Sequence, residues 1–242
     1  MSTILKITNL VKYYSSDEPV IKRLSLEVKK GEVFGFIGPN GAGKSTTIKC
    51  ITGILPFEEG EITINNLDIL QEPLDAKRSF GYVADNQAVY EEMTGREFVE
   101  FIASVYGLKE NFKHLFEELV KRFNMSHAID QYISNYSHGM KQKVCIIASL
   151  IHEPDLWILD EPLTGLDISS AMQLKNTIID YKKKGKSVLL TSHNIDSVEK
   201  LCDRVAIIIK GEIKTIIDMK DFNGQSLEKL FYQLVQTSEG VE

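Results

Sequence analysis

A run of glycine, lysine and hydroxyl residues has the composition of a loop that binds phosphate. Residues 38–46 are G-P-N-G-A-G-K-S-T, which fits the P-loop pattern G-x-x-x-x-G-K-[ST]. The glycines allow the backbone to curl, so that successive N–H groups point at phosphate oxygens. Lys44 is long enough to reach the β- and γ-phosphates, and the Ser45 hydroxyl suits Mg²⁺. The residues predicted to contact a nucleotide are Asn40, Gly41, Ala42, Gly43, Lys44, Ser45 and Thr46.

The residues on either side of this loop provide the context that the pattern requires. Residues 33–37 form an apolar run that predicts a buried strand, and residues 47–51 continue as a helix. The N-terminus of that helix adds the positive end of its dipole to the phosphate site. A chance glycine-rich turn is the alternative, and the strand–loop–helix context favours a nucleotide site over it.

Two adjacent carboxylates follow a second apolar run. Residues 156–159 predict a buried parallel strand, and Asp160 and Glu161 come directly after it. An aspartate at the carboxyl end of a strand beside a P-loop can hold Mg²⁺ through its water shell. The neighbouring carboxylate can accept a proton from an attacking water. A surface turn explains these two residues equally well on their own, but together with Lys44 they predict hydrolysis.

Length and composition limit the possible classes of protein. The chain has 242 residues, 43% of them apolar, enough for one large domain or two small ones. Its 28 basic and 34 acidic residues give a net charge of −6, which argues against nucleic acid as the main partner. No apolar run approaches the length of a membrane span, and the N-terminus lacks a secretory segment.

Three cysteines, Cys50, Cys145 and Cys202, are widely separated and lie among apolar residues. Their spacing matches neither a metal site nor a disulfide framework. We expect them to be reduced and buried, as in a cytosolic protein. The remaining histidines, His114, His127 and His152, show no ligand spacing and are expected at the surface or at caps.

Hydrophobic periodicity predicts strands on both sides of a helical segment. The predicted strands take residues 4–9, 21–28, 33–37, 60–65, 80–83, 156–159, 187–191, 204–209 and 213–217, with a polar loop at 15–19. Between about residues 94 and 149 the pattern is helical, and Thr94 and Glu97 fit a capping box. Further helices are predicted at 112–123, 137–150, 168–181, up to about 201, and 226–235.

Several separated motifs together resemble the ATP-binding subunits of ABC transporters. They are the P-loop, Y-S-H-G-M-K-Q-K at 136–143, the strand and carboxylates at 156–161, G-L-D at 165–167, and His193. Their order and spacing match the family over essentially the whole chain. Residues 35–40 and 137–142 look most like the ATPases that serve ABC-2-type export permeases.

The resemblance implies an α/β fold with a P-loop NTPase core. In this family a mixed sheet is flanked by helices, an antiparallel β subdomain lies at the N-terminus, and an α-helical subdomain is inserted. We therefore expect residues 1–242 to form a single ATPase domain. The core is expected at 1–84 and 151–220, the helical subdomain at 85–150, and a short helical tail at 221–242.

The resemblance also implies where the adenine and the γ-phosphate are bound. Tyr14 matches the aromatic residue that stacks on adenine, with Val20 nearby, although Tyr13 is adjacent and core packing is a rival role. His193 matches the switch histidine that contacts the γ-phosphate and helps to position water.

Other motif residues are implied to act across a dimer. Ser137, His138 and Gly139 match the signature motif, whose helix N-terminus touches the γ-phosphate held by the other subunit. Asp167 matches the loop that communicates between subunits. The working unit is therefore expected to be a head-to-tail dimer around two ATP molecules, either a homodimer or a heterodimer with a related ATPase.

The sequence departs from the family pattern at two positions. Asp85 occupies the place of the glutamine that senses Mg²⁺ and the attacking water, and an ionised aspartate only accepts hydrogen bonds. We prefer Asp85 as catalytic residue and metal ligand, with Gln87 as the alternative. His138 puts a side chain where the signature motif usually has glycine.

The resemblance implies an ATP-hydrolysing motor with ATP and Mg²⁺ as cofactors. Glu161 is expected to be the base, assisted by Lys44, Ser45, Asp160 and His193. The helical segment is expected to receive a coupling helix from a separate membrane permease, the system is expected to be an exporter, and the subunit is expected in the cytoplasm at the inner face of the membrane. Aromatic residues near Tyr90 and Phe98 either form that groove or pack the segment's own core.

Rival functions lack features that their classes require. ABC ATPases of translation carry two ATPase domains, DNA-repair ATPases need a long coiled coil between P-loop and signature, and P-loop kinases have no use for the signature. A catalytically slow ABC subunit with an immunity or regulatory role remains the alternative, because Asp85 and His138 are unusual. Glu161 and His193 argue against it.

Overall fold

The structure is a computed structural model that describes residues 2–14, 18–222 and 226–239. Residues 15–17 of the predicted polar loop and the last residues of the predicted tail lie outside the described part. Within that part, the strands and helices follow the predicted order, with boundaries that differ by a few residues.

The N-terminal strands form an antiparallel sheet that packs against the P-loop strand. Its strands are β1 (Thr3–Lys12), β2 (Ile21–Lys29), β4 (Glu59–Ile64) and β5 (Leu67–Asp68), in the order β2-β1-β4-β5. The short strand β5 was not predicted, and it follows a tight turn in which Asn65 and Asn66 both have positive φ. Two successive left-handed residues are typical of the two-residue hairpin turn that asparagine tolerates.

The second sheet is mixed and carries the predicted site residues at one edge. Its strands are β3 (Val33–Ile37), β6 (Phe80–Val83), β7 (Leu156–Leu159), β8 (Ser187–Thr191), β9 (Arg204–Ile209) and β10 (Glu212–Asp218), in the order β10-β9-β3-β8-β7-β6. Only β10 runs antiparallel to its neighbour. Since the others are parallel, the P-loop, Asp160 and His193 all follow the carboxyl ends of neighbouring strands.

Eight α-helices are described, together with one 3₁₀ turn. They are α1 (Lys44–Ile51), α2 (Pro73–Arg78), α3 (Gly95–Val105), α4 (Lys113–Arg122), α5 (His138–Leu150), α6 (Ile168–Lys183), α7 (Ile195–Leu201) and α8 (Leu227–Glu239), and the turn is Ile133–Asn135. The capping box is confirmed, because the Thr94 side chain accepts from the Glu97 backbone N–H and Glu97 bonds back to Thr94. No described helix has the length and apolarity needed to cross a bilayer.

Two hydrophobic clusters lie on opposite faces of the mixed sheet. One joins this sheet to the antiparallel sheet and α1, through residues such as Phe34, Phe36 and Ile48. The other joins it to the helical segment and α6, through residues such as Trp157 and Phe116. The P-loop strand β3 contributes to both clusters, so its position is fixed from two sides.

The structure decides one open alternative and corrects one sequence prediction about side-chain environment. Phe98 is only 4% exposed and packs in the core of the helical segment, which is the second of its two expected roles, whereas Tyr90 is 52% exposed. His152 is not a surface or cap residue: its ring stacks on that of Tyr106, with the ring centroids 3.8 Å apart, and its Nε2 hydrogen bonds with the Phe80 carbonyl oxygen at 3.0 Å.

Cys50 and Cys202 are buried, and Cys145 is half-buried. Burial raises the pKa of the Cys50 thiol to about 11 and that of the Cys145 thiol to about 12.

Candidate active site

Two of the P-loop glycines, Gly38 and Gly43, could not carry a side chain without a clash. A Cβ on Gly38 would lie 2.3 Å from the Ile208 carbonyl oxygen, and one on Gly43 would lie 2.6 Å from the Ile21 side chain. Gly43 has a φ of 107° and is the N-cap of α1, and no side chain caps the helix there. The first-turn N–H groups of α1 are therefore free of a side-chain cap, which suits an anion such as phosphate.

Lys44 lies at the bottom of this loop and is only 7% exposed. Its Nζ donates to the carbonyl oxygens of Gly38, at 2.7 Å, and Pro39, at 3.2 Å. Burial lowers the pKa of Lys44, while the carboxylates of Glu161 and Asp160 act in the opposite direction. A desolvated cation beside a helix N-terminus is a strong attractor for a polyphosphate.

The two tyrosines near the P-loop differ in their exposure. Tyr14 is 55% exposed, and its hydroxyl lies 3.3 Å from the Thr46 hydroxyl. Tyr13 is half-buried. Val20 is half-buried, and its carbonyl oxygen lies beside Gly43. Tyr14 is thus the tyrosine whose ring is accessible next to the start of α1.

Asp160 is a buried carboxylate that two hydroxyl groups hold in place. It is 2% exposed, and its Oδ1 accepts hydrogen bonds from Thr191 Oγ1 at 2.6 Å and Ser45 Oγ at 3.3 Å. Burial raises its pKa, the two hydroxyl donors lower it, and the charge of Asp85 raises it further. A cation at this point would offset both the cost of burying the Asp160 charge and its repulsion by Asp85.

The donor atoms here fit Mg²⁺ only if a substrate completes the site. Ser45 and Asp160 supply the hard oxygen ligands that Mg²⁺ prefers, and Asp85 is close enough to influence the Asp160 charge. Among the described residues, no group of three or more His, Cys, Asp or Glu side chains could hold a metal ion. Such a sparse set matches Mg²⁺ bound through one or two carboxylates together with phosphates.

Glu161 and His193 form a hydrogen-bonded pair at the end of two adjacent strands. Glu161 Oε2 accepts from the His193 backbone N–H at 3.2 Å and lies 2.9 Å from His193 Nδ1. The Glu161 side chain is 14% exposed, and that of His193 is 69% exposed. Glu161 has a φ of 49°, a left-handed conformation that is strained for a non-glycine residue and is often found at functional sites.

Thr191 connects the Asp160 carboxylate with the backbone of Glu161, and its role was not predicted from the sequence. Its hydroxyl donates to Asp160 and accepts the Glu161 backbone N–H at 3.0 Å. Thr191 is fully buried at the end of β8. Its position directly before Ser192 and His193 was the only signal in the sequence that could have identified it.

We expect Thr191→Val to slow ATP hydrolysis by about ten- to a hundredfold, because valine keeps the shape but removes the acceptor of the Glu161 N–H and the shorter of the two hydroxyl bonds to Asp160. Stability should fall by about 1–3 kcal/mol. Steady-state ATPase assays and chemical denaturation measure the two effects. Thr177→Val is the matched control, since Thr177 is also buried but bonds to a helix carbonyl in α6. Equal ATPase rates in the two variants would contradict the role of Thr191.

The segment after β6, residues 84–89, is here called the sensing loop. It borders a cavity of about 550 Å³ that Ser45, Asp160 and Asp85 also line. Asp85 is exposed, and Gln87 is half-buried. Gln87 Nε2 is committed to other partners, Gln142 Oε1 at 2.8 Å and His138 Nε2 at 3.1 Å.

The signature residues lie at the exposed N-terminus of α5. Ser137 is the N-cap and accepts from the Met140 backbone N–H at 3.3 Å. Ser137 and His138 are exposed, and Gly139 is half-buried. These residues can therefore meet a ligand that another molecule presents, and the helix N-terminus favours an anionic one.

Asp167 has a structural role within its own chain. It caps α6 by accepting from the Ser170 backbone N–H at 2.9 Å and from the Ser170 hydroxyl at 2.5 Å. These bonds lower the pKa of Asp167 to about 2. Lys143 of α5 lies 3.7 Å away, so the cap also fixes the 162–167 loop relative to the signature helix.

Comparison with known proteins gives consistent similarities. The family model described as "ABC transporter" matches residues 21–164. The ABC transporter ATP-binding protein NatA of Bacillus subtilis (strain 168) is 35% identical over 87% of this chain and 87% of its own length. The linearmycin resistance ATP-binding protein LnrL of the same organism is 37% identical over 88% of this chain and 68% of its own length. A solved structure described as the ATP-binding subunit of an ABC transporter is 33% identical, has a TM-score of 0.92, and covers 96% of this chain and 100% of that one.

Proposed function

This chain belongs to the ATP-binding subunits of ABC transporters, a family that hydrolyses ATP, and we propose that it drives a separate export permease. The observation that carries the proposal is the unbroken contact series at the strand ends. Ser45 bonds to Asp160, Asp160 to Thr191, Thr191 to the Glu161 backbone, and Glu161 to His193. This series supports the proposal that Asp160 is a metal ligand, Glu161 the base and His193 a γ-phosphate contact, because it brings the three residues next to one another.

Within this proposal the residues around the nucleotide divide the tasks of phosphate binding and hydrolysis. Lys44 and the first-turn N–H groups of α1 hold the β- and γ-phosphates. Mg²⁺, when bound by Ser45 and Asp160, would neutralise charge on the phosphates. Glu161 accepts the proton of the attacking water, and His193 contacts the γ-phosphate and helps to position that water.

We assign the sensing role to Asp85 rather than Gln87. The carboxylate of Asp85 influences the charge of Asp160, and both line the same cavity with Ser45. Gln87 has its amide nitrogen engaged with α5. Tyr14 is the proposed adenine platform, with Val20 beside it, because its ring is accessible and its hydroxyl meets Thr46.

The active unit in this proposal is a head-to-tail dimer. ABC ATPase domains dimerise, and the exposed N-terminus of α5 with Ser137, His138 and Gly139 supplies the second half of the partner's nucleotide site. Two ATP molecules then close the dimer, and phosphate loss reopens it. A second copy of this chain and a related ATPase both satisfy this geometry.

Export is the direction that the relatives favour. LnrL is named for resistance to linearmycin, and resistance proteins commonly remove a compound from the cell. The motifs at 35–40 and 137–142 resemble the ATPases of ABC-2-type export permeases. We therefore place the subunit in the cytoplasm, at the inner face of the membrane, beside its permease.

The docking surface for the permease is proposed around Tyr90. Tyr90 is 52% exposed and packs edge-on against Phe101, with ring centroids 5.6 Å apart. Phe101 and Val105 of α3 are also exposed, at 39% and 65%. Tyr90 directly follows the sensing loop and packs on Phe101, so a helix docked at Tyr90 would lie next to the loop that carries Asp85.

We expect Tyr90→Asp to reduce co-purification of the permease by about tenfold, since a charge in an apolar contact costs about 1.4 kcal/mol or more. The permease is identified by mass spectrometry after mild detergent extraction. Tyr232→Asp on α8 is the matched control, because Tyr232 is 57% exposed and lies on the tail. ATP binding should be unchanged in both variants. Loss of the permease in both, or in neither, would refute this docking surface.

A further inference from the structure

The His138 side chain connects the signature helix with two other loops of the same chain. Its Nε2 lies 3.1 Å from Gln87 Nε2 in the sensing loop. Its ring also lies against Gly165 in the 162–167 loop, where a Cβ would come within 2.1 Å of His138 Cδ2. The ring therefore fits only because residue 165 is glycine, which also tolerates the φ of 76° found there.

Hydrogen bonds of the two glutamine side chains, Gln142 and Gln87, determine the role of His138 Nε2 as an acceptor. Gln142 of α5 is 1% exposed, and its Nε2 donates to the Pro162 carbonyl oxygen at 3.4 Å. Its Oε1 must then face Gln87 and accept from Gln87 Nε2 at 2.8 Å. A carbonyl oxygen can only accept, so the Pro162 oxygen fixes the orientation of both amides.

The same direction of hydrogen-bond donation continues from Gln87 to the imidazole of His138. Gln87 Nε2 has two hydrogen atoms, one for Gln142 Oε1 and one for His138 Nε2. His138 Nε2 must therefore carry a lone pair, which it does only in the neutral ring with its proton on Nδ1. Protonation would place two donors face to face and break the contact.

We propose that neutral His138 is a positioning residue that fixes the sensing loop and the 162–167 loop relative to the N-terminus of the signature helix. The sensing loop contains Asp85, and Pro162 directly follows Glu161. His138 thus acts on the hydrolysis step through these two loops, in the same chain that holds Lys44. This inference rests on the proposed function only in so far as it assigns tasks to Asp85 and Glu161.

Three of the four charged groups on the elements next to His138 have partners of their own. On α5, Lys141 pairs with Glu91, and Lys143 lies 3.7 Å from Asp167. The sensing loop contributes Asp85, and Glu161 precedes the 162–167 loop with its carboxylate on His193. The only direct polar contact described for the His138 ring is the Gln87 amide.

Substitutions that keep or remove the acceptor test the proposal. In His138→Gln the Oε1 atom can occupy the position of Nε2 and accept from Gln87, whereas the shorter side chain in His138→Asn cannot reach it. We expect His138→Gln to keep about five- to tenfold more of the wild-type kcat than His138→Asn and His138→Ala, because only the glutamine restores the acceptor. KM for ATP should change less than kcat in each variant. Equal losses in His138→Gln and His138→Asn would overturn the role of the acceptor.

Hydrogen–deuterium exchange of the nucleotide-free protein gives a readout that needs no hydrolysis. Amides of residues 84–89 and 162–167 should exchange faster in His138→Ala than in the wild type or His138→Gln. If exchange behaves as expected and no variant hydrolyses ATP, the proposed function fails while the positioning role stands. If exchange is the same in all three proteins, the positioning role fails even where hydrolysis is normal.

Discussion

Glu161→Gln is expected to bind ATP normally and to hydrolyse it at least about a hundredfold more slowly, the usual contribution of a general base. The glutamine amide keeps the size of the side chain and an oxygen that can accept from His193, but it cannot take a proton from water. Purified protein should therefore accumulate ATP rather than ADP. Hydrolysis is measured as phosphate release under saturating ATP.

The matched control for this substitution lies at the other end of the same strand. Glu153 precedes β7 as Glu161 follows it, and its φ of 51° is also left-handed. Glu153→Gln reproduces the chemical change on a similarly strained backbone, away from the series of contacts. We expect it to hydrolyse ATP at the wild-type rate. If Glu161→Gln also did so, Glu161 would not be the base.

The oligomeric state of Glu161→Gln tests the proposed dimer in the same preparation. With ATP and Mg²⁺ it should elute as a dimer, since phosphate contacts from both subunits persist when hydrolysis is blocked. Adding Ser137→Arg should abolish that dimer by placing a bulky side chain at the tip of α5. A monomer in ATP with a functional site would indicate that the natural partner is a related ATPase.

Sequence alone was sufficient to predict the parts of the site that local pattern determines. The P-loop, the strand before Asp160 and the capping box at Thr94 each have a signature within a few residues, because backbone conformation and burial constrain neighbouring side chains. The parallel strands were predicted as continuous apolar runs, and the structure confirms that β3, β7 and β8 are fully buried. Their alignment then placed the chemical groups at one edge.

The contacts that link distant segments could not be predicted in the same way. Thr191 touches Asp160 across neighbouring strands, and Gln87 meets His138 across the sensing loop and α5. Which residues become neighbours depends on strand register and helix packing, and no local pattern encodes either. Phe98 and His152 show the same limitation, since the burial of Phe98 depends on which face of α3 packs inward and that of His152 on its contacts with Tyr106 and Phe80.

Apart from any role in catalysis, the buried Lys44 makes the free energy of unfolding depend on pH. Burial lowers the pKa of Lys44 in the folded protein. At a pH between this lowered pKa and the ordinary one, the unfolded chain therefore binds more protons at Lys44 than the folded chain does. Stability therefore rises with pH between the lowered pKa and the ordinary value near 10.5. A neutral amine still has the hydrogens needed to donate to the Gly38 and Pro39 carbonyls.

Lys44→Met should therefore abolish the response to ATP with little loss of stability without nucleotide, because replacing a poorly compensated buried charge is often neutral, within about 1 kcal/mol. The wild type should gain about 2.7 kcal/mol at an ATP concentration one hundred times its Kd, and the variant none. Chemical denaturation with and without ATP measures both quantities. Without ATP, the free energy of unfolding of the wild type should rise relative to that of the variant as the pH rises towards 10.5.

Lys12→Met is the matched control: Lys12 is also buried but pairs with Glu58 at 2.7 Å, so its loss should destabilise the protein and leave the gain from ATP intact. A normal gain from ATP in Lys44→Met would show that the P-loop lysine does not hold the phosphates.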